Sequence, residues 1–135
     1  MATIRKEILV DARPEDVWAA VSDVGAVHVR LAPGFIANTR MEADARIVTF
    51  ANGLVLRELI VGIDDAQRRF VWAAVAERIK HHNGSMQVFD AGDGRSRLVW
   101  IADILPHELA EQADALMAQS IIVAKQTLER SSKGG

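Results

Sequence analysis

Residues 95–131 of this 135-residue chain read RSRLVWIADILPHELAEQADALMAQSIIVAKQTLERS, and this stretch decides the fold. Its first part, 95–105, carries apolar residues on both alternating faces and predicts a strand that Pro106 ends. No Gly or Pro follows up to residue 131, and a stripe of apolar and small residues recurs there at helical spacing. The stripe consists of Leu109, Ala113, Leu116, Ser120, Ile121, Ala124 and Leu128. This pattern predicts one long amphipathic helix over 107–131 and a disordered tail over 131–135.

Five further apolar runs precede the strand at 95–105, and turn residues separate them. They cover residues 35–40, 45–51, 54–63, 69–75 and 82–90. Asn52-Gly53 is a strong signal for a two-residue hairpin turn, and Gly92-Asp93-Gly94 indicates another tight turn. Strands joined by such short turns form an antiparallel meander, because a parallel crossover needs about a dozen residues or more.

The N-terminal part of the chain adds one strand and two short helices. Residues 3–10 alternate and predict a strand. Pro14 opens the first helix, because its missing N–H is not needed in a first helical turn. A second short helix is expected over about 26–31, before Pro33-Gly34 forces a turn. This order predicts an α+β fold in one domain over residues 1–135, with the last helix covering one face of the sheet.

Composition excludes several classes of protein. Lys and Arg number 16 against 18 Asp and Glu, a net charge of −2, and no basic run marks a nucleic-acid surface. The absence of Cys excludes disulfides, thiolate zinc sites and a Cys nucleophile. No apolar run approaches the roughly 20 residues of a membrane span, and the first residues lack the apolar centre of a signal peptide. We therefore expect a cytoplasmic protein that contacts neither nucleic acid nor the membrane interior.

Three segments resemble a known superfamily. They are IRKEILVDARPEDVWAAVSDVG at 4–25, ANGLVLRELIVGIDDAQRRFVW at 51–72 and RLVWIADILP at 97–106. Together with the order of elements, they are similar to the START-like, polyketide cyclase/dehydratase (SRPBCC) superfamily. The resemblance covers nearly the whole chain and implies the helix-grip fold of plant pathogenesis-related pollen allergens and abscisic acid receptors. In that fold a curved antiparallel sheet wraps a long C-terminal helix, and a hydrophobic cavity between them accepts a small apolar or aromatic molecule.

Two polar residues are candidates for the interior of this cavity. Both faces of 54–63 are mostly apolar, so periodicity leaves open whether Glu58 or Arg57 points inward, and the resemblance implies Glu58. The resemblance also places His82 in the cavity wall, although a solvated ring at the strand end is the alternative. A Glu58–His82 pair would shift the proton affinity of each group, as a general acid/base site requires.

The other candidate residues lie on the predicted strands and the last helix. Asp103 is expected near the open end of the cavity, with a solvated position beside a turn as the alternative. Ser120 is expected to face the ligand, unless its hydroxyl bonds the carbonyl four residues back in the helix. The complete set of expected ligand-binding residues is Glu58, His82, Gly84, Met86, Val99, Ile101, Asp103, Leu116, Ser120 and Ala124. No metal site is expected, because the adjacent His81 and His82 point to opposite faces of a strand. No cofactor is expected, because the sequence has no P-loop and no dinucleotide-binding glycine motif.

Two functions from different classes follow. The first is a carrier or sensor that binds a small hydrophobic or aromatic molecule as a monomer or homodimer. The alternative is a polyketide cyclase/dehydratase-like enzyme that works without a cofactor and uses Glu58 and His82 as acid and base. Many hormone receptors of this fold hold the ligand's carboxylate with a Lys at a position that is Ala37 here. We therefore do not expect abscisic acid or a similar anionic ligand.

Overall fold

A computed structural model describes residues 2–134 of the chain. They form seven strands and three α-helices, with a single 3₁₀ turn before each of the last two helices. The order is β1 (Thr3–Val10), α1 (Pro14–Ser22), α2 (Val27–Arg30), β2 (Ile36–Glu42), β3 (Ala45–Phe50), β4 (Val55–Asp64), β5 (Arg69–Val75), β6 (His81–Gly92), β7 (Arg95–Leu105) and α3 (Ala110–Gly134). The bounds of β1, β5 and β7 are those predicted from the sequence.

All seven strands belong to one antiparallel sheet in the spatial order β1-β7-β6-β5-β4-β3-β2. The last six strands form the predicted meander, and β1 pairs with β7 from Thr3 opposite Asp103 to Val10 opposite Ser96. Register shifts in β2, β4 and β6 mark irregularities in the ladder of the kind that bend a strand. The sheet, the long C-terminal helix and the short helices after β1 confirm the helix-grip fold.

Helix α3 covers the inner face of the sheet. Of its buried apolar residues, Ile121, Ala124 and Leu128 belong to the predicted stripe, and Met117 lies beside it. Burial of each large side chain contributes about 1.5–3 kcal/mol. The helix packs most extensively against β1, where Lys6 Nζ donates to Asp114 Oδ1 at 2.6 Å and Lys125 Nζ donates to the Leu9 carbonyl at 2.7 Å. Because the helix is tied to this edge of the sheet, space remains between it and the middle strands.

The end of α3 and the turn between β3 and β4 differ from the sequence-based predictions. Helix α3 continues beyond Ser131 through Gly134, where a disordered tail was predicted, since neither serine nor Lys133 prevents helical hydrogen bonding. Residue 135 lies outside the described residues. The turn between β3 and β4 has three residues, because Phe50 N–H donates to the Leu54 carbonyl at 2.8 Å. Within residues 2–134, no helix is both long enough and apolar enough to cross a membrane.

Candidate functional site

A cavity of about 150 Å³ lies between the inner face of the sheet and α3. Its wall is mostly apolar, with contributions from α1, α2, strands β2 to β7 and α3. The polar side chains in the wall are Arg46, Glu58, His82 and Ser120. Such a cavity matches the usual form of a small-molecule site, in which an apolar surface carries a few polar groups.

Arg46 and Glu58 form a buried ion pair in this wall. They are direct cross-strand partners on β3 and β4, and Arg46 Nε donates to Glu58 Oε1 at 2.8 Å. The two residues are only 5% and 7% exposed. Arg46 Nη1 also donates to the Val24 carbonyl at 3.0 Å, so the same side chain ties β3 to the turn between α1 and α2. Burial of both charges is tolerated because each neutralises the other.

Aromatic side chains form one side of the wall. The Phe70 and Trp72 rings of β5 stack with centroids 5.0 Å apart, and Trp100 of β7 lies 6.1 Å from Trp72. The guanidinium carbon of Arg46 lies 5.1 Å from the Phe70 ring centroid and 5.8 Å from that of Trp72. At these distances, cation–π contacts with the two rings stabilise the charge of Arg46 in a mostly apolar wall.

The His82 side chain accepts a hydrogen bond from the backbone of β5 and also lines the cavity. The ladder between β5 and β6 ends at the pair Trp72 and Gly84. Beyond this pair, the Ala74 N–H donates to His82 Nδ1 at 2.9 Å instead of to a backbone carbonyl. Since Nδ1 accepts, the hydrogen-bond network assigns the ring proton of the neutral imidazole to Nε2. Burial lowers the pKa of His82 below its ordinary value, His81 lowers it further, and Asp103 opposes the shift.

We predict that His82 makes the stability of the fold depend on pH. Because the native pKa is lowered, the unfolded chain binds the proton first as the pH falls below about 6.5. The contribution of neutral His82 to the free energy of unfolding is therefore complete above that pH and is lost as the pH falls toward the native pKa.

Chemical denaturation of the wild-type protein and of His82→Gln between pH 8 and pH 5 tests this prediction. The variant should lose less stability over the interval, and His107→Gln, at an exposed position, should behave like the wild type. Equal losses in wild type and His82→Gln would contradict the prediction.

The sequence matches the model of one protein family, described as polyketide cyclase/dehydrase and lipid transport, over residues 1–129. The chain belongs to this family. Among functionally curated proteins, none matches the sequence.

Several solved structures superpose on this chain. An uncharacterized protein from Bacillus thuringiensis aligns at a TM-score of 0.85 and 12% identity, covering 94% of this chain and 98% of its own. A START superfamily protein from Mycobacterium smegmatis aligns at a TM-score of 0.71 and 13% identity, covering 98% of this chain and 97% of its own. The Zhui aromatase/cyclase from Streptomyces aligns at a TM-score of 0.68 and 16% identity, covering 97% of this chain and 93% of its own. At these identities the likeness concerns the fold alone.

Six of the ten expected ligand-binding residues lie in the cavity wall of this polyketide cyclase/dehydrase family member. They are Glu58, His82, Met86, Leu116, Ser120 and Ala124. Glu58 therefore points inward and Arg57 does not, as the resemblance implied. Within the described residues, Glu58 and His82 share no hydrogen bond, because Glu58 is bonded to Arg46 and His82 to Ala74. Whether any of the six contacts a ligand stays a prediction.

The expected orientation of β7 is wrong. Trp100, Ala102 and Ile104 line the cavity, and the expected residues Val99, Ile101 and Asp103 lie on the opposite face of the strand. On that face, Thr3 Oγ1 of β1 donates to Asp103 Oδ1 at 2.7 Å. Alternation did not distinguish the two faces because both carry large apolar residues, and Val99 is itself buried on the outer face.

Gly84 was also expected in the wall, and the structure gives it another role. Its inward position is covered by the Trp72 indole, whose Cε2 and Cζ2 lie 2.8 Å from where a Cβ would stand. The glycine therefore permits a close approach of Trp72 to β6 and contributes no side chain to the cavity.

Three residues important to the wall were not expected there, namely Arg46, Trp72 and Trp100. Both tryptophans are typical core residues, and the sequence alone does not separate a core position from a cavity wall. Among residues 2–134, no cluster of three or more His, Asp or Glu side chains is arranged to hold a metal ion.

Proposed function

We propose that this protein binds one small apolar or aromatic molecule in the cavity between the sheet and α3, and acts as a carrier or sensor. The observation that carries the proposal is a mostly apolar cavity of about 150 Å³ in the core. An apolar cavity of about this volume holds a molecule the size of benzene. Membership of the polyketide cyclase/dehydrase and lipid transport family supports a ligand-binding or cyclase-like role.

The hydrogen bonds of the two candidate catalytic groups favour a binding protein over an acid/base enzyme. A proton-transfer pair needs both groups within reach of each other or of one bridging molecule. Here Glu58 Oε1 accepts from Arg46 and His82 Nδ1 accepts from a backbone N–H, and the two groups share no hydrogen bond within the described residues. Both bonds stabilise the fold, which supports a structural use of these groups in the free protein.

The expected affinity for a purely apolar probe is modest. Toluene would bury roughly 200 Å² of apolar surface, worth about 5 kcal/mol at 25 cal/mol per Å². This corresponds to a dissociation constant on the order of 0.1–1 mM. Calorimetric titration of the wild-type protein with toluene should therefore show saturable one-to-one binding, and toluene should raise the midpoint of thermal unfolding.

Filling the cavity from α3 tests where the probe binds. Ala113 is a wall residue on α3, whereas Ala115, two residues later, is exposed. We predict that Ala113→Phe reduces toluene affinity at least tenfold, because its ring would occupy a large part of the cavity. Ala115→Phe is the matched control and should titrate like the wild type, with circular dichroism verifying the fold of both. Equal affinities in the two variants, or no saturable binding by the wild type, would refute the proposed function.

A further inference from the structure

The buried ion pair in the cavity wall has hydrogen-bonding capacity that the fold does not use. Arg46 engages Nε and Nη1, and Glu58 engages Oε1. Within residues 2–133, no side-chain or backbone partner bonds Arg46 Nη2 or Glu58 Oε2. A guanidinium carries five N–H donors and a carboxylate about four acceptor positions, so both groups retain free capacity.

Neither free atom of the pair is fully enclosed by the described part of the protein. Polar atoms that are fully enclosed without a partner in the described part of the chain are His28 Nδ1, Thr39 Oγ1 and Trp100 Nε1. Arg46 Nη2 and Glu58 Oε2 are not enclosed in this way, and both residues lie in the cavity wall. The wall therefore offers a strong donor and a strong acceptor side by side to any molecule inside.

The charge of the pair limits what that molecule can be. Arg46 and Glu58 together carry no net charge, and the surrounding wall is mostly apolar. A carboxylate ligand at Arg46 would meet the Glu58 carboxylate, and an ammonium ligand at Glu58 would meet the Arg46 guanidinium. Either ion would leave a net charge in an apolar cavity, which is strongly unfavourable. The complementary group is uncharged and has both a donor and an acceptor.

We propose that the cavity selects an uncharged single-ring molecule with a hydroxyl group, whose oxygen accepts from Arg46 and whose O–H donates to Glu58. This inference rests on the proposed function and adds the class of ligand. The volume of about 150 Å³ limits the ligand to about one ring, and Phe70 and Trp72 provide aromatic surface beside the pair. Phenol meets each condition, because it has one aromatic ring and one hydroxyl group and is neutral at pH 7.

Calorimetric titrations with phenol, toluene and benzoate at pH 7 test the inference. Toluene has the shape of phenol without the hydroxyl, and benzoate carries the charge that the site should reject. The decisive variant is Arg46→Met/Glu58→Leu, which replaces the pair with apolar side chains of similar size. We expect the ratio of phenol affinity to toluene affinity to fall at least tenfold in this variant, because two charge-assisted hydrogen bonds are lost.

A second variant keeps the test independent of the double replacement. Glu58→Gln retains a hydrogen-bonding group beside Arg46 but leaves the site with a net positive charge. The ratio of benzoate affinity to phenol affinity should rise at least tenfold in this variant. Glu42→Gln, at an exposed position beside Arg40, is the control and should leave all three affinities unchanged.

The outcomes separate this inference from the proposed function. If toluene and phenol bind the wild type but their ratio is the same in Arg46→Met/Glu58→Leu, the role of the pair is refuted and the binding function stands. If benzoate binds the wild type more tightly than phenol, the requirement for an uncharged ligand is refuted. If none of the three probes binds the wild type, the inference and the proposed function fail together.

Discussion

Arg46→Met should lower the free energy of unfolding by about 3–5 kcal/mol, because it leaves the Glu58 carboxylate buried without its counter-ion. Arg46 is the cation found within 4 Å of this carboxylate in the described part of the chain. The substitution also removes the donor to the Val24 carbonyl, so β3 is no longer tied to the turn before α2. Guanidinium denaturation of wild type and variant at pH 7 measures the loss.

The double variant Arg46→Met/Glu58→Leu distinguishes loss of the pair from loss of one partner. Buried ion pairs replaced by apolar residues of similar volume are often neutral or stabilising, so most of the loss should be recovered. The control is Arg40→Met, which breaks an exposed pair with Glu42 on β2 and should change stability by less than about 1 kcal/mol. If the double variant is no more stable than Arg46→Met, the stability loss has a source other than the unpaired carboxylate.

The fold was predictable because its determinants are local in the sequence. The meander follows from apolar runs separated by turn residues, and α3 follows from a stripe that no Gly or Pro interrupts before residue 134. The facing of a strand is predictable only where its two faces differ in polarity. In β7, Val99 and Ile101 on one face are as apolar as Trp100 and Ala102 on the other, so the register with β1 decides.

The ion pair was missed for a related reason. A lone Arg in a strand is usually exposed, so the residue pattern of β3 does not predict a buried position for Arg46. A two-residue turn at Asn52-Gly53 would place Arg46 opposite Leu59, whereas the three-residue turn in the structure places it opposite Glu58. A shift of one residue in the register therefore decides whether Arg46 lies opposite an apolar residue or opposite the complementary charge of Glu58.

Gly84→Ala should destabilise the fold by about 1–3 kcal/mol, although the change adds only one methyl group. The new Cβ would stand 2.8 Å from two ring carbons of Trp72. This indole has little freedom to move, because it is 4% exposed, stacks on Phe70 and lies 6.1 Å from Trp100. The strain would therefore pass into the aromatic side of the cavity wall.

Gly62→Ala on β4 is the matched control, since no atom lies within 4 Å of its added Cβ and its backbone needs no left-handed conformation. It should be neutral or slightly stabilising, because alanine restricts the unfolded chain more than glycine does. Guanidinium denaturation measures both variants, and toluene titration shows whether displacement of Trp72 alters the cavity. If Gly84→Ala is as stable as Gly62→Ala, the contact between Trp72 and β6 is loose enough to accept a side chain. A full loss in Gly84→Ala alone would establish that the close approach of Trp72 to the Gly84 backbone sets the position of the cavity's aromatic wall.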